Sequence, residues 1–273
     1  MSDGNDDERP IKAYHDRAFL DGTSARPLRI LAEYLEPRAR FESYRISDTI
    51  VFFGSARIVS REQAWVNLEA ARAGDGDVAA AEQALAISRY YEECRELARR
   101  LTEWSKGLEE KRRRFVVCTG GGPGIMEAAN RGASEAKGLN VGLGISLPHE
   151  ASGNPYITRH LAFEFHYFFM RKYWFIYLAK ALIAFPGGFG TLDEFFEVMT
   201  LVQTGKLRKQ LPIVLYGREF WDAALNLEAL VRFGTISADD LSLFYKTDNV
   251  DDAFAFVTRE LTEKALALPG GRW

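Results

Sequence analysis

The sequence predicts an α/β protein, a doubly wound parallel sheet with helices on both faces, and three observations carry that expectation. Short apolar runs alternate with stretches of helical periodicity along most of the 273 residues, the pattern of strand–helix units joined by right-handed crossovers. Two runs end in glycine loops that lead directly into a helix, at residues 115–133 (FVVCTGGGPGIMEAANRGA) and 181–200 (ALIAFPGGFGTLDEFFEVMT). A third run, Thr49–Phe53, ends in the turn Gly54-Ser55-Ala56-Arg57. In a parallel sheet every strand-to-helix loop lies along one carboxyl edge, so all three glycine turns should face one crevice, where open α/β sheets bind ligands.

Taken in order, residues 1–26 read as a polar N-terminal arm, and 27–273 as a single domain that opens with helical periodicity over 27–44. After the apolar strand at 49–53, a helical insert rich in Ala, Glu and Arg is expected over about 61–111. Ala73-Gly74-Asp75-Gly76-Asp77 should break it into two helices. Next come a strand at 115–118, a helix at 124–137, a strand at 141–147 and an irregular loop at 148–159. A helix at 167–179 feeds a strand at 182–185, the second glycine loop and a helix at 192–204. A strand at 213–216, a helix near 220–231, a short strand near 243–245 and a helix at 250–265 complete the pattern.

Composition narrows the function classes. With 47% hydrophobic residues the chain can bury a sizeable core, and a net charge of −3 leaves no electrostatic footprint for nucleic acid. Cys94 and Cys118 offer neither a disulfide framework nor metal spacing, which suits a reducing cytoplasm. His15, His149, His160 and His166 are scattered without metal spacing. The start MSDGNDDERP is acidic and polar, unlike a signal peptide. The aromatic run at 166–185 contains Arg171, Lys172 and Lys180, which argues against a membrane span. No cofactor, metal, membrane or nucleic-acid partner is expected.

The loops look built to hold phosphate. Glycines let backbone N–H groups approach an anion, and the following helix N-terminus carries partial positive charge. One such loop is a weak signal, whereas two in one domain argue for a nucleotide or sugar phosphate held between them. A dinucleotide fingerprint needs G-x-G-x-x-G and an acid on the next strand. Gly120, Gly121, Gly122 and Gly124 miss that spacing, because Ile125 stands where the last glycine would be, and the next strand runs into Pro148 without an acid. Neither loop has the Lys-Ser/Thr ending of a triphosphate P-loop, so a mononucleotide fits better than NAD or ATP.

Gly-Gly-Gly-Pro-Gly-Ile-Met-Glu at 120–127 and Pro-Gly-Gly-Phe-Gly-Thr-Leu-Asp-Glu at 186–194 resemble the paired motifs GGGxxGxM and PGGxGTxxE of the LOG family. These are the cytokinin riboside 5'-monophosphate phosphoribohydrolases once labelled lysine decarboxylases. The resemblance spans roughly residues 48–260 and implies a Rossmann-like fold, with Arg171 and Glu194 as catalytic residues. It places Ser55, Gly121, Gly122, Gly124, Lys172, Gly188, Gly190, Thr191, Asp193 and Thr200 at substrate-binding positions. The first motif is one residue shorter than the plant-type form, and Phe169-Met170 stand where short members carry His-Glu. With its insert and arm, the chain is similar to longer bacterial members, which implies ordinary nucleoside monophosphates such as AMP as substrates, beside cytokinin precursors.

The residues support that chemistry on their own terms. Breaking the bond from ribose C1' to a base nitrogen passes through an oxocarbenium-like state, which needs a nearby carboxylate to offset charge and activate water. Glu194, just past a phosphate-type loop, can supply it. Arg171 could meet phosphate or ribose, and aromatics at 165–169 and 173–175 could wall the base from water. Each reading has a structural alternative. Thr191-x-x-Glu194 is also a capping box, Arg171 could be a salt-bridged surface residue, the aromatics could be core or subunit interface, and the glycines could serve strand–helix packing.

Three function classes follow. A hydrolase of nucleoside 5'-monophosphates leads. A non-catalytic carrier of a nucleotide or molybdenum cofactor is second, and the presence of both Arg171 and Glu194 argues against it. A PLP-dependent decarboxylase is third, but no lysine lies in either glycine loop to form the Schiff base. The aromatic-rich helices beside the site suggest a homodimer.

Overall fold

The computed structural model describes residues 10–108, 110–146 and 153–271. Seven strands form one parallel sheet: β1 Thr49–Phe53, β2 Val116–Thr119, β3 Asn140–Ile145, β4 Ala162–Phe165, β5 Ala179–Ala184, β6 Ile213–Tyr216 and β7 Tyr245–Thr247. Their spatial order is β4-β3-β2-β1-β5-β6-β7, every pairing being parallel. The chain builds outward from β1 to one edge, then returns to start the other half at β5. The β1–β5 junction is therefore a topological switch point, where the loops on either side diverge and leave a crevice.

The central strands are buried along their whole length, all five residues of β1 and all six of β5, because both faces are covered. Successive side chains point to opposite faces. Val51 and Phe53 join Phe41, Trp174, Phe195 and Trp221 in one core, while Ile50 and Phe52 join Leu97, Ile125 and Val257 in the other. The first core is covered by α2 (Arg26–Ser43), α7 (Phe168–Tyr177), α8 (Phe189–Gln203) and α9 (Arg218–Ala224). The second is covered by α5 (Arg89–Lys106), α6 (Ile125–Glu135) and α11 (Val250–Lys264).

Several elements differ from the expectation. The insert holds three helices, α3 (Arg61–Arg72), α4 (Val78–Ile87) and α5, rather than two. The Ala73–Asp77 break is there, with the Asp77 carboxylate accepting from Ala79 and Ala80 amides. A second break falls at Ser88, which ends α4 and starts α5. The bend frees α5 to lay Tyr91, Cys94, Leu97, Ala98 and Leu101 on the sheet. Strand β4 follows the expected loop and was not anticipated; its alternating exposed and buried residues mark an edge strand. The helix near 220–231 is two, α9 and α10 (Leu227–Arg232), separated where Asn226 caps the Ala229 amide. β7 sits two residues later than expected and β5 three residues earlier. Residues 10–26 carry a short helix, α1 (Arg17–Asp21), and a 3-10 turn, Thr23–Ala25. The first nine residues of the arm, Leu147 of the expected strand and residues 148–152 of the expected loop, His149 included, lie outside the described residues. No helix among those described is long and apolar enough to cross a membrane.

Candidate functional site

Three loops meet at the switch point. After β1, Gly54 has no room for a side chain, since a Cβ would stand 2.5 Å from Ile125 at the start of α6. The Ser55 amide donates to the Pro186 carbonyl at 2.9 Å, and the Ser55 carbonyl accepts from the Ile125 amide at 3.0 Å. One residue thus joins the first turn to both glycine loops. The Ser55 hydroxyl accepts from the Arg57 amide at 3.1 Å.

After β2, the loop Gly120–Gly124 is held from beneath by buried polar groups. Thr119 Oγ1 accepts from the Gly121 amide and donates to Asn130 Oδ1 at 2.7 Å. Asn154 Nδ2 lies within 3.1 Å of the Gly121 and Gly122 carbonyls and of Asn130 Oδ1, and Asn130 Nδ2 donates to Asn140 Oδ1 at 3.0 Å. In such a network a backbone loop has no alternative partner to relax toward. Gly124, at φ +70°, would put a Cβ 2.3 Å from the Ser55 carbonyl oxygen, so packing and backbone both demand glycine there.

After β5, the chain enters α8 at Gly188, which is the N-cap and offers no capping side chain. The capping-box reading of Thr191 and Glu194 is therefore corrected. Thr191 is the third residue of the helix and Glu194 the sixth, too far along to cap it. The sequence places the start three residues late because Phe189-Gly190 lack helical character, yet these first-turn residues line the crevice, and the first amides of a helix have no partner within it. Gly187 is required by packing, with Thr191 Oγ1 2.1 Å from a would-be Cβ. At Gly188 and Gly190 a Cβ would meet nothing within 4 Å, and neither has positive φ. Packing explains the glycines at 54, 124 and 187 but not these two.

Around these loops lies a cavity of about 630 Å³, a size typical of small-molecule sites. Of the residues expected from the sequence, Ser55, Gly122, Arg171, Gly188, Gly190, Thr191, Asp193 and Glu194 line it. The structure does not bring the other four to its wall. Gly121 turns its Cα face toward Ile157 and Gly142, and Gly124 packs on the first turn. Lys172 is engaged with Asp193 at 2.7 Å and Glu197 at 3.2 Å, tying α7 to α8. Thr200 is exposed farther along α8, its hydroxyl donating to the Phe196 carbonyl. Arg57, Met126, Phe53, Ile145, Phe168 and Phe189 also line the cavity. Of these, Arg57 was legible as the cation ending the first glycine turn. Phe189 is 91% exposed and Phe168 51%, whereas Phe165, Trp174 and Phe175 belong to the core, so the aromatic run divides between wall and interior.

Arg171 reaches from α7 across the crevice floor. Its Nε donates to the Leu143 carbonyl at 2.7 Å, its guanidinium lies over Phe175 at 5.1 Å, and Nη2 would stand 2.6 Å from a Cβ on Gly120. Glu194 is only 6% exposed. Burial pushes its carboxyl up to about 7. The charges of Lys172 and Arg171 pull the other way, while Glu197 and Asp193 add to the rise. A carboxyl poised near neutrality, a guanidinium and open helix-start amides thus share one cavity, the grouping from which acid–base chemistry on an anionic ligand is built. Among the described residues no cluster of His, Cys, Asp and Glu could hold a metal ion.

Fold and crevice define the class: a Rossmann-like α/β protein with a glycine-walled site at the carboxyl edge of its sheet. The family described as "Possible lysine decarboxylase" matches residues 126–257. A cytokinin riboside 5'-monophosphate phosphoribohydrolase of Rhodococcoides fascians is 31% identical over 114 residues, which cover 41% of this chain and 56% of that protein. The match therefore spans little more than half the relative's length. Over these residues the chain is similar to the LOG family. Among solved structures, the crystal structure of TM1055 is 22% identical with a TM-score of 0.48, covering 78% of this chain and 99% of that one. The Moco carrier protein of Chlamydomonas reinhardtii is 19% identical with a TM-score of 0.45, covering 80% and 99%.

Proposed function

We propose that the crevice hydrolyses the N-glycosidic bond of a nucleoside 5'-monophosphate, releasing free base and ribose 5-phosphate. The observation that carries this reading is Glu194, a buried carboxyl held near neutrality on the same cavity wall as Gly188 and Gly190, whose missing side chains serve no packing need. The 5'-phosphate sits against the α8 N-terminus, where amides and helix dipole favour an anion. Glu194 lies about 9 Å along the axis from Gly188 at ~1.5 Å per residue, and helix side chains lean back toward the N-terminus. That brings its carboxylate toward C1' of a nucleotide whose phosphate is anchored at the helix start.

As the C1'–N bond lengthens, its electron pair leaves with the base and positive charge grows on the ribose, which the Glu194 carboxylate offsets. The same carboxylate takes one proton from the attacking water, the hydroxyl stays on C1', and the proton passes on to the departing base. Arg171, anchored on Leu143 and lying over Gly120, orients the ribose and base. Phe168 and Phe189 cover the base. The substrate class is AMP-like, with N6-prenylated AMP, the cytokinin riboside 5'-monophosphate type, as the second member suggested by the Rhodococcoides relative.

Incubation with AMP, GMP, CMP and N6-prenylated AMP, each beside its nucleoside, tests the reading through the base released. Base should appear from a monophosphate and hardly at all from the nucleoside, because phosphate binding supplies much of the energy that positions C1'. Equal rates on AMP and adenosine would remove the phosphate cradle. Tight nucleotide binding with no release would make the protein a carrier instead.

A further inference from the structure

At the amino edge of the sheet, opposite the crevice, lies a second cavity of about 560 Å³, floored by Val116 and Leu139 at the starts of β2 and β3. Among the described residues, seven Lys and Arg line it against one carboxylate, Glu110. Helix C-termini converge on this edge, and cations there ordinarily offset the helix dipoles. That accounts for Lys106, which donates to the Ala136 carbonyl after α6, and for Arg113, which donates to the Tyr44 carbonyl after α2. Arg112 is paired with Glu42 and Arg114 with Asp48. Arg45, Lys111 and Lys137 remain, and none of their side chains has a hydrogen bond or ion pair among the described residues.

The backbone marks the same place. Arg45 (φ +52°) and Lys137 (φ +55°) each follow a helix end in the left-handed conformation that glycine adopts at least expense. The third described non-glycine residue with left-handed φ is Phe115 (φ +52°), between the lining residues Arg114 and Val116. All the described strain of this kind borders one cavity, and strain of this kind gathers at ligand clamps. At both helix ends the strained residue is a long cation whose side chain has no partner among the described residues.

We propose that this cleft binds a small, multiply charged phosphate-type anion, either an inorganic polyphosphate or the polyphosphate chain of a nucleotide, on Arg45, Lys111 and Lys137. Three cations unpaired among the described residues, on a concave, compact surface, suit such an anion better than a nucleic acid, which a chain of net charge −3 would repel at longer range. The site stands apart from the crevice by the length of the strands, so its ligand does not compete with the substrate.

The test is calorimetric titration with sodium tripolyphosphate and, separately, ATP. The wild-type chain, Arg45→Gly/Lys137→Gly, Lys111→Gln and the crevice variant Gly122→Val are compared. Wild type should show one saturable site that weakens with added salt. The double glycine variant should lose roughly tenfold or more in affinity while its melting temperature holds or rises, since glycine relaxes both turns. Lys111→Gln should weaken binding too, and Gly122→Val should retain it. ATP binding with the same variant dependence identifies a nucleotide polyphosphate, and binding of tripolyphosphate alone identifies the inorganic ion. Three results overturn the proposal: no saturable site in wild type, unchanged affinity in the double variant, or tighter binding of single-stranded RNA that grows with its length.

Discussion

Glu194 stands at the sixth position of α8, past any capping role, so its carboxyl can be changed without touching the helix start. Its ordinary value of 4.5 is raised to about 7 in the folded chain by burial, which means the fold disfavours the ionised form. The sign follows directly. Any stability tied to this group is fully present below about 4.5 and is lost as pH rises toward 7, a penalty on the order of 3 kcal/mol at alkaline pH. Glu194→Gln should therefore melt at or above the wild-type temperature, with a gap of several degrees that widens from pH 5 to pH 8 at roughly 2–4 °C per kcal/mol. Turnover should fall by roughly 10²–10⁴-fold if the carboxylate serves as base and charge partner. In the wild-type chain kcat/KM should climb through about pH 7 as the carboxylate forms. Melting curves and base release measured on the same preparations check both. A Gln variant with near wild-type turnover would end the hydrolase mechanism.

At the scale of elements, the strand–glycine–helix units were legible because each is local: a short apolar run, a turn that only glycine permits and a periodic helix lie within 20 residues or so. The start of α8 was misread for the opposite reason. Its first turn has no capping residue and carries Gly190 and an exposed Phe189, features that serve the crevice rather than the helix. Strand β4 and the network Thr119, Asn130, Asn140 and Asn154 were illegible because both depend on partners brought from elsewhere in the chain. The glycines sort into two kinds that a sequence cannot tell apart, and substitution separates them. Gly190→Ala should leave the fold intact or stabilise α8 by up to about 1 kcal/mol, yet raise KM for the nucleotide about tenfold by obstructing its approach to the helix-start amides. Gly124→Ala should instead be poorly folded, since its Cβ would meet the Ser55 carbonyl in a left-handed turn. Unchanged KM in Gly190→Ala would remove the helix-start amides from the site.

Across the whole molecule the two edges of the sheet divide the work, with the crevice at the carboxyl edge and a buried charge cluster at the amino edge. Asp48, just before β1, is fully buried between Arg114 and Lys180. These groups also gather the C-terminal segment. Arg114 donates to the Ala265 and Leu266 carbonyls, Lys180 donates to the Leu268 carbonyl, and the Gly270 amide donates to Asp48. Nothing local announces this clasp, since Asp48 and Arg114 stand 66 residues apart in sequence. Burial drives the Asp48 carboxyl above its ordinary value against the pull of both cations. The cluster is thus no large net source of stability, but removing one member from it is a different matter, because two buried cations would be left without their shared anion. Asp48→Asn should destabilise the fold by about 3–5 kcal/mol, a fall in melting temperature on the order of 10 °C. The crevice lies at the other ends of the same strands, so the protein that remains folded at low temperature should keep its KM for the nucleotide. Melting curves alongside initial rates at 10–15 °C, an interval of roughly 5 °C chosen to lie far below the transition, distinguish the two effects. A melting temperature within about 2 °C of wild type, equivalent to less than about 1 kcal/mol, would show that the clasp does not hold the tail to the sheet. A shifted KM in a fully folded variant would show instead that the two edges are coupled.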